Sequence, residues 1–270
     1  MLLAPTLLPR LLAVAAAAGP AGSMHVVAHE DDDLLFMNPG IDAAITQGAA
    51  VTTVYLTAGD AGRNAAYWQD REAGERAAYA AMAGVTDLWK EDRLDVEGVR
   101  LARLRLAAAP RVTLLFMRLR DACDETCPKG PAASNLSRLW EGSVSSHGAV
   151  DGSAAASRDG VIALLAALMR VYAPVHLHLL DSTGAHGDDH PDHRASALFG
   201  AAAAERAGIR DVVQHRGYNI LDLPPNLPNA AATRKAAIFA RYQPHDTVLC
   251  PHGPPCHLNP RYAAWMHRMY

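Results

Sequence analysis

Two short stretches of the sequence place imidazoles next to carboxylates, a combination that binds metals and moves protons near neutral pH. In the first stretch, a histidine precedes four consecutive acids: His29, Glu30, Asp31, Asp32 and Asp33. Adjacent carboxylates repel one another, so solvent or a cation has to neutralise the run. An imidazole and a carboxylate three residues apart suit a zinc site, whereas the acids alone also suit a solvated turn or a helix N-terminus.

The second stretch runs from His186 to His193 and mixes histidines with aspartates. His190 and His193 flank Pro191 and Asp192. A proline there suits the first position of a helix that the residues before it cap. We therefore expect His193 in the first helical turn, facing back over the loop. The residues alone fit either a metal site or a polar helix cap with exposed histidines.

Strand-like and helix-like segments alternate along the chain. The predicted strands cover residues 24–28, 51–56, 112–117 and 175–180. The predicted helices, from the 3.6-residue spacing of apolar positions, cover residues 40–47, 68–83, 161–172, 192–207 and 230–242. This alternation indicates an α/β fold, a single Rossmann-like domain whose mostly parallel sheet carries helices on both faces.

Both polar stretches directly follow predicted strands. In such folds ligands bind beyond the carboxyl ends of the strands, where the strand order reverses. We therefore expect the two stretches to meet there, beneath long loops. The segment 118–158 lacks a clean period, which is typical of a functional or mobile loop, and with the tail 250–270 it is a candidate cover for the site. Residues 212–213 and 218–221 could form short strands.

The composition excludes several classes of protein. Of 270 residues, 50% are hydrophobic and 20% are charged, which is too apolar for a disordered chain. No apolar run reaches the about 18 residues of a transmembrane helix. A net charge of −3 without long Lys/Arg runs argues against nucleic acid as a partner. The unusual number is 13 His against 4 Phe and 4 Trp, which directs attention to metal and proton chemistry.

The sequence divides into an N-terminal segment, residues 1–23, and a domain over residues 24–270. The N-terminal segment is apolar and alanine-rich, which fits either a secretory signal or an arm packed on the domain. Disulfides would favour an extracellular location, whereas reduced cysteines fit the cytoplasm. The cysteine spacing permits two local disulfides, Cys123 with Cys127 and Cys250 with Cys256. The compartment and the oligomeric state stay open at this point.

Three motifs occur in a characteristic order. Residues 28–33 read A-H-E-D-D-D after the first strand, residues 57–62 read T-A-G-D-A-G after the second, and residues 190–194 read H-P-D-H-R at a helix start. Together they resemble the A-H-P-D-D-E, T-x-G-[ED]-x-G and second histidine motifs of the PIG-L/LmbE-like family of zinc-dependent N-deacetylases. Glu30 stands where the family has Pro, and Asp33 where it has Glu, and neither position is one of the family's metal ligands.

The resemblance implies a ligand set and roles for the remaining residues. The implied zinc ligands are His29, Asp32 and His193, which leave open positions for water and substrate as catalytic zinc requires. Zinc would activate the water and polarise the amide carbonyl. Asp31 is the implied general base. His190, as an imidazolium, is the implied donor to the oxyanion, and Asp192 is expected to orient it.

The substrate is less specified. Asp60, Arg63 and Asn64 could bind sugar hydroxyls, or they could be ordinary polar loop residues. Residues 28–39, A-H-E-D-D-D-L-L-F-M-N-P, are similar to the deacetylases of glycopeptide-antibiotic (teicoplanin-type) biosynthesis, which act on an acylated glucosamine of a pseudoaglycone. Within the enzyme class, the alternatives are an N-acetylglucosamine conjugate of a thiol precursor, a lipid or an oligosaccharide. The alternative outside it is a sugar-binding pseudoenzyme.

Overall fold

The computed structural model describes residues 20–121 and 135–270 of the chain. Most of the N-terminal segment and the pair Cys123 and Cys127 lie outside the described residues. Cys250 and Cys256 are joined by a disulfide. Within the described ranges, every helix is too short or too polar to cross a bilayer.

A seven-stranded sheet forms the centre of the molecule, in the spatial order β3-β4-β5-β2-β1-β8-β9. The strands are β1 (Ser23–Val27), β2 (Val51–Thr57), β3 (Trp89–Val96), β4 (Val99–Leu106), β5 (Val112–Leu119), β8 (His176–Leu180) and β9 (Val212–His215). The five strands from β5 to β9 in this order are parallel. All residues of β1 and β2 are buried, as expected for parallel strands covered on both faces. A separate two-stranded ribbon pairs β6 (His147–Gly148) with β7 (Ala155–Ala156).

The described helices are α1 (Asp32–Phe36), α2 (Gly40–Thr46), α3 (Ala65–Ala83), α4 (Asn135–Glu141), α5 (Arg158–Tyr172), α6 (Pro191–Ala207), α7 (Asn229–Tyr242) and α8 (Pro260–Trp265). They flank the sheet in two groups, in which α5 packs on α6 and α3 packs on α7. Two 3₁₀ turns, Tyr218–Asp222 and Gln243–His245, complete the described elements. The predicted α/β class and single mostly parallel domain are confirmed.

The structure differs from the sequence-based expectation in three places. Residues 218–221 form a 3₁₀ turn and not a strand. The segment 118–158 contains α4 and the β6–β7 ribbon. The hairpin β3–β4 was not expected at all, and it adds two antiparallel strands to the sheet edge. Its turn, Glu97 and Gly98, has two positive φ angles (52° and 76°), the backbone that joins strands through two residues.

The strand order reverses beside β1, because the chain passes from β1 to β2 on one side and later places β8 on the other. Open α/β sheets bind ligands at this point. The histidine column, which we define as His25 on β1, His178 on β8 and His215 on β9, lies within the sheet next to it. The rings of His25 and His178 stack 4.6 Å apart, and those of His178 and His215 stack 5.2 Å apart.

One buried ammonium ties distant parts of the fold together. Lys235 on α7 is fully buried. Its Nζ donates to the carbonyl oxygens of Leu35 (2.5 Å), Trp265 (3.0 Å) and Arg268 (2.7 Å). Burial lowers the pKa of Lys235 to about 7, while the three carbonyl oxygens favour the charged form. Lys235 thus links α1 to the last residues of the chain.

Candidate metal centre and active site

The first polar stretch forms a strained turn between β1 and α1. Asp31 precedes α1 with a φ of 94°, a left-handed backbone that is costly for a residue with a Cβ and is concentrated at functional sites. Two side chains one turn apart on α3 hold this turn. Glu75 Oε1 accepts from the Asp31 amide at 2.8 Å, and Arg71 donates to the Glu30 carbonyl and to Asp31 Oδ1 at 3.1 Å.

The Arg71 side chain can reach this turn because residue 59 is a glycine and has no side chain in its path. A Cβ at Gly59 would collide with the Arg71 guanidinium and with the Glu30 carboxylate, and its φ of +50° also favours glycine. Arg71 also donates to the Gly59 carbonyl at 2.7 Å and to the Tyr242 hydroxyl at 2.6 Å. The buried guanidinium of Arg71 therefore contacts both the loop of residues 57–62, which we call the glycine loop, and the acidic turn of residues 29–33.

The second polar stretch caps α6 as its residue types predict. His190 is the N-cap, its Nδ1 accepts from the Asp192 amide at 3.2 Å, and Pro191 opens the helix. His193 lies in the first turn and is fully buried. Its Nδ1 lies 2.8 Å from Asp189 Oδ1, which also accepts from the backbone amide of His190 at 2.8 Å. A carboxylate on Nδ1 orients a ring whose Nε2 binds a metal.

Asp32 joins the two stretches. Its Oδ1 lies 2.9 Å from His193 Nε2, and its Oδ2 lies 3.3 Å from His29 Nδ1. Within the described part of the chain, His193 Nε2 and His29 Nε2 are buried and make no hydrogen bond of regular geometry, and the nearest polar atoms to them are carboxylate oxygens. Such nitrogens are suited to a metal.

Among residues 20–121 and 135–270, two sets of side chains could hold a metal with all donor atoms within 4.8 Å of one another. One is the histidine cluster, which we define as His29, His190 and His193; the other is His29, Asp121, His190 and Asp192. Asp32 belongs to neither set. Its carboxylate lies next to Nδ1 of His29, whereas Nε2 of the same ring lies 3.5 Å from Asp121 and 3.5 Å from Asp192. The ligand set with Asp32 stays a prediction.

Asp121 is a site residue that the sequence analysis missed. It follows directly on β5, so it reaches the same edge of the sheet as the other two stretches. Asp60 fixes it: the buried Asp60 carboxylate accepts from the Asp121 amide at 2.7 Å and from the Gly62 amide at 3.2 Å. A strand-end aspartate is a signal that could have identified Asp121.

The carboxylates determine the charge of two of the three imidazoles in the cluster. Burial lowers the pKa of His193, but Asp32 and Asp189 outweigh burial and raise it to about 9. Burial likewise lowers the pKa of His29, and Asp32 and Asp121 raise it well above its ordinary value. The carboxylates around His29 and His193 thus favour positive charge at these two rings, and a metal ion bound there would compete with protons for the same nitrogens.

His190 differs from the other two rings. Burial and the charges on His29 and His193 lower its pKa to about 3, which favours the neutral ring over the expected imidazolium. Because Nδ1 accepts the amide proton of Asp192, the neutral ring carries its proton on Nε2. A neutral His190 can still donate one hydrogen bond from Nε2.

Asp31, the expected base, is buried beside Arg71. Burial raises its pKa to about 7, while Arg71 opposes the rise. Glu30, which replaces the family's Pro, is fully buried, and burial raises its pKa to about 8. Behind the turn, Glu75 and Asp33 share the hydroxyl of Tyr55, at 2.9 and 3.0 Å.

The three expected sugar contacts lie on the loop before α3. Asp60 is fully buried, and its carboxylate binds the backbone amides of this loop. Asn64 caps α3 by accepting from the Tyr67 amide at 3.3 Å. Arg63 is exposed above the Tyr67 ring at 4.8 Å, and both line an open groove of about 500 Å³. A contact between the three residues and sugar hydroxyls stays a prediction.

Four aromatic side chains border the histidine cluster and are called the aromatic wall: Phe36, Tyr218, Tyr262 and Trp265. The Tyr218 ring lies 4.9 Å from the His193 ring and stacks on Trp265 at 5.1 Å. Trp265 packs edge-on against Phe36 of α1 at 5.4 Å and is buried, as is Met266. Tyr262 packs against Trp265 at 4.8 Å. Part of the tail 250–270 therefore lies beside the site, where the sequence analysis placed a candidate cover.

Similar folds occur among solved structures. The zinc-inhibited form of teicoplanin deacetylase Orf2 is 15% identical (84% of this chain, 85% of that chain, TM-score 0.48). N,N'-diacetylchitobiose deacetylase from Pyrococcus horikoshii is 13% identical (83% and 70%, 0.47), and the 4-carboxy-2-hydroxymuconate hydratase GalB from Pseudomonas putida KT2440 is 12% identical (90% and 82%, 0.46). Identities and scores this low transfer no reaction to the chain. Among curated proteins, none matches the chain significantly.

The family assignment comes from the sequence. The family model PIG-L, described as GlcNAc-PI de-N-acetylase, matches residues 24–204, which is more than half of the chain. That range contains both polar stretches, the glycine loop and the strands that position them. The chain therefore belongs to the PIG-L family and is a hydrolytic N-deacetylase for substrates of the N-acetylglucosamine type.

Proposed function

We propose that the chain uses zinc to hydrolyse the N-acyl group of an acylated glucosamine carried by a glycopeptide pseudoaglycone. The observation that supports the hydrolytic part is that His29, His190 and His193 bring their ring nitrogens within 4.8 Å of one another, with Asp32 in contact with both His29 and His193. The glycopeptide part is supported by the resemblance of residues 28–39.

The metal would be held by His29, Asp32 and His193. Bound there, zinc would supply a Lewis acid that activates water and polarises the amide carbonyl. Asp189 fixes the tautomer of His193 by accepting from Nδ1, which leaves Nε2 available as a ligand. A carboxylate between two imidazoles matches zinc's usual oxygen and nitrogen donors.

Asp31 is positioned as the general base. Arg71 donates to its Oδ1, so the second oxygen is the one that accepts the proton of the attacking water. Glu75 holds the backbone of Asp31 in its strained conformation, which fixes where the carboxylate lies. Asp31 then returns the proton to the departing amine, so that the products are a free amine and a carboxylate.

His190 is positioned to donate from Nε2 to the oxygen that becomes negative during attack. A donor of this kind is worth about 3 kcal/mol of barrier in comparable sites. Asp192 carries the amide that fixes the tautomer of His190, and its carboxylate lies 4.0 Å from His190 Nδ1 and 3.5 Å from His29 Nε2. It therefore orients both rings.

The experiment is a mass-spectrometric assay of acyl loss from an N-acetylglucosaminyl glycopeptide pseudoaglycone. N-acetylglucosamine, diacetylchitobiose and an N-acetylglucosaminyl inositol serve as competing substrates. We expect the highest kcat/KM for the glycopeptide and loss of all turnover after treatment with a chelator. A higher kcat/KM for one of the smaller conjugates would show that this conjugate, and not the glycopeptide, is the preferred substrate.

The variant Asp31→Asn separates catalysis from metal binding. Asparagine cannot take a proton, so we expect normal zinc content and a loss of turnover of at least about a hundredfold. Near-normal turnover would show that Asp31 is not the base. Bound zinc in the wild-type protein with no release from any amino sugar would instead identify a pseudoenzyme.

A further inference from the structure

A buried carboxylate outside the family match lies behind the active site. Asp246 follows the 3₁₀ turn Gln243–His245, and only 3% of it is exposed. It comes after residue 204, where the match to the family model ends. A carboxylate buried to this extent requires hydrogen-bond donors or a cation, so its partners indicate what it does.

The two oxygens of Asp246 have different partners. Oδ1 accepts from the Val248 amide at 2.8 Å and from the Tyr67 hydroxyl at 3.2 Å, which fixes the carboxylate to its own loop and to α3. Oδ2 lies 3.3 Å from Arg71 Nε and accepts from the Tyr242 hydroxyl at 3.3 Å. One oxygen therefore holds Asp246 in place, and the other is directed at Arg71.

Tyr242, the last residue of α7, links the same two side chains. Arg71 Nε donates to the Tyr242 hydroxyl at 2.6 Å, and this hydroxyl donates in turn to Asp246. The end of α7 comes this close to α3 because residue 74 is a glycine, where a Cβ would collide with the Tyr242 ring. A tyrosine and an aspartate are thus both placed against one nitrogen of Arg71.

The terminal nitrogens of Arg71 hold the two loops of the active site. Nη1 donates to the Gly59 carbonyl of the glycine loop, and Nη2 donates to the Glu30 carbonyl and to Asp31 Oδ1 of the acidic turn. The guanidinium is planar, so fixing Nε also fixes the directions in which both terminal nitrogens donate. Asp246 therefore acts on Asp31 through Arg71.

The charges around Arg71 support this arrangement. Three carboxylates surround the buried guanidinium, at 3.1 Å (Asp31), 3.3 Å (Asp246) and 3.9 Å (Glu30). Two of them belong to the acidic turn itself, and only Asp246 attracts the cation from the opposite side, at Nε. Removing the charge of Asp246 would leave Arg71 drawn to the turn alone, which changes the geometry between Arg71 and Asp31.

We propose that Asp246 is a positioning residue for deacetylation, which anchors Arg71 so that Arg71 holds the acidic turn in its catalytic conformation. The inference rests on the proposed catalytic role of that turn. It gives the chain after residue 204 a part in the reaction, which the family match over residues 24–204 does not supply.

The test is a double-mutant cycle in the acyl-release assay, with the acyl-glucosamine conjugate that the wild type hydrolyses fastest. Asp246→Asn keeps an oxygen that can accept from Val248 and Tyr67 but removes the charge that faces Arg71. We expect kcat to fall about tenfold with unchanged KM and metal content, because a displaced catalytic group lowers the rate and not the binding.

The second arm of the cycle is Arg71→Lys, which keeps a buried cation but lacks Nε. In this background, Asp246→Asn should lower kcat by less than about twofold, because the contact through which it acts is already gone. An equal fall in both backgrounds would show that Asp246 acts independently of Arg71 and would overturn the proposal. So would an unchanged kcat, or a rise in KM alone, in Asp246→Asn.

A second cycle covers the case in which Arg71→Lys does not fold. Tyr242→Phe removes only the hydroxyl between Arg71 and Asp246 and should lower kcat about threefold. Combined with Asp246→Asn, its effect should be less than the product of the two, whereas a purely structural role predicts the full product. Asp222→Asn, which removes an exposed carboxylate, is the matched control and should change neither kcat nor KM. Circular dichroism melting checks the folding of each variant.

Asp31→Asn keeps this inference apart from the proposed base. If Asp31→Asn loses its turnover and Asp246→Asn does not, the base stands and the inference fails. If Asp31→Asn keeps its turnover while Asp246→Asn still lowers kcat only where Arg71 is intact, the base assignment fails. The inference then stands, because the acidic turn also carries His29 and Asp32.

Discussion

The histidine cluster and the histidine column each contain three imidazoles, but in different electrostatic settings. The column has stacked rings, and its closest polar contact joins His178 Nδ1 to His215 Nε2 at 2.9 Å. Burial lowers the pKa of His25, and it lowers those of His178 and His215 to about 4. In the cluster, carboxylates contact the rings and raise the pKa values of His29 and His193.

The comparison shows that burial does not distinguish a metal site from packing. Both groups are largely buried, yet only the cluster has carboxylates that can share a cation with its nitrogens. In the column, each ring instead stacks on the next one, and His178 and His215 are neutral partners in a hydrogen bond. Acidic neighbours, and not the number of histidines, identify the imidazoles that can bind a metal.

We expect the largest effect from removing Asp32, the carboxylate that lies between His29 and His193 of the cluster. Asp32→Ala should lose the metal and lower kcat/KM at least about a thousandfold, because the proposed site then lacks its carboxylate ligand. Elemental analysis and the acyl-release assay measure the two effects. Asp95→Ala, at an exposed position on β3, is the control and should change neither. Full metal content in Asp32→Ala would contradict the ligand assignment.

A smaller effect is expected from the carboxylate behind His193. Asp189→Asn keeps an oxygen that can accept from Nδ1 but removes the charge that makes the ring a better ligand. Metal affinity should fall about tenfold, at the lower end of the range for such partners. A competition titration with a chelating dye measures it. The adjacent, exposed Asp188, changed to Asn, should have no effect, and an equal loss there would show that only total charge matters.

The column should be sensitive to acid. Its folded-state pKa values near 4 lie below the ordinary histidine value near 6.5, so the unfolded chain binds more protons between these pH values. Stability is therefore fully present above pH 6.5 and is lost as the pH falls toward 4. The charged and titratable groups acting on the column are His176, Asp211 and Lys235, in addition to its own members.

His178→Gln should reduce this sensitivity by about 1 kcal/mol, since glutamine hydrogen-bonds without ionising. Urea unfolding at pH 7 and pH 5 measures the change. His252→Gln, at an exposed position in the loop between Cys250 and Cys256, is the control and should keep the wild-type pH dependence. An unchanged pH dependence in His178→Gln would mean that the column does not titrate on unfolding.

The regular elements were predictable because their patterns are local. β2, α3 and α6 follow from apolar spacing and from their capping residues, and the predicted bounds differ by only a few residues. The hairpin β3–β4 was missed because charged and apolar residues are mixed in both strands, and β3 buries none of its residues fully. Residues 218–221 look like a strand by composition, but Tyr218 packs on Trp265, a contact that no local pattern contains.

The site was predictable where residues are adjacent in sequence and not where the fold joins distant segments. The two polar stretches could be located because each follows a strand. Arg71 and Glu75 could not be assigned from sequence, because their roles depend on how α3 lies against the turn at Asp31. Asp121 was missed although it lies just after a strand, because its role depends on contact with His29.

The buried ammonium of Lys235 has a consequence for exchanging parts between relatives. It takes two of its three acceptors from residues 265 and 268 and the third from α1, the helix that begins at Asp32. A chimera that replaces the tail to obtain a new aglycone preference would leave a buried cation without acceptors unless the graft restores both carbonyls. The tail and α1 therefore have to be transplanted as one unit.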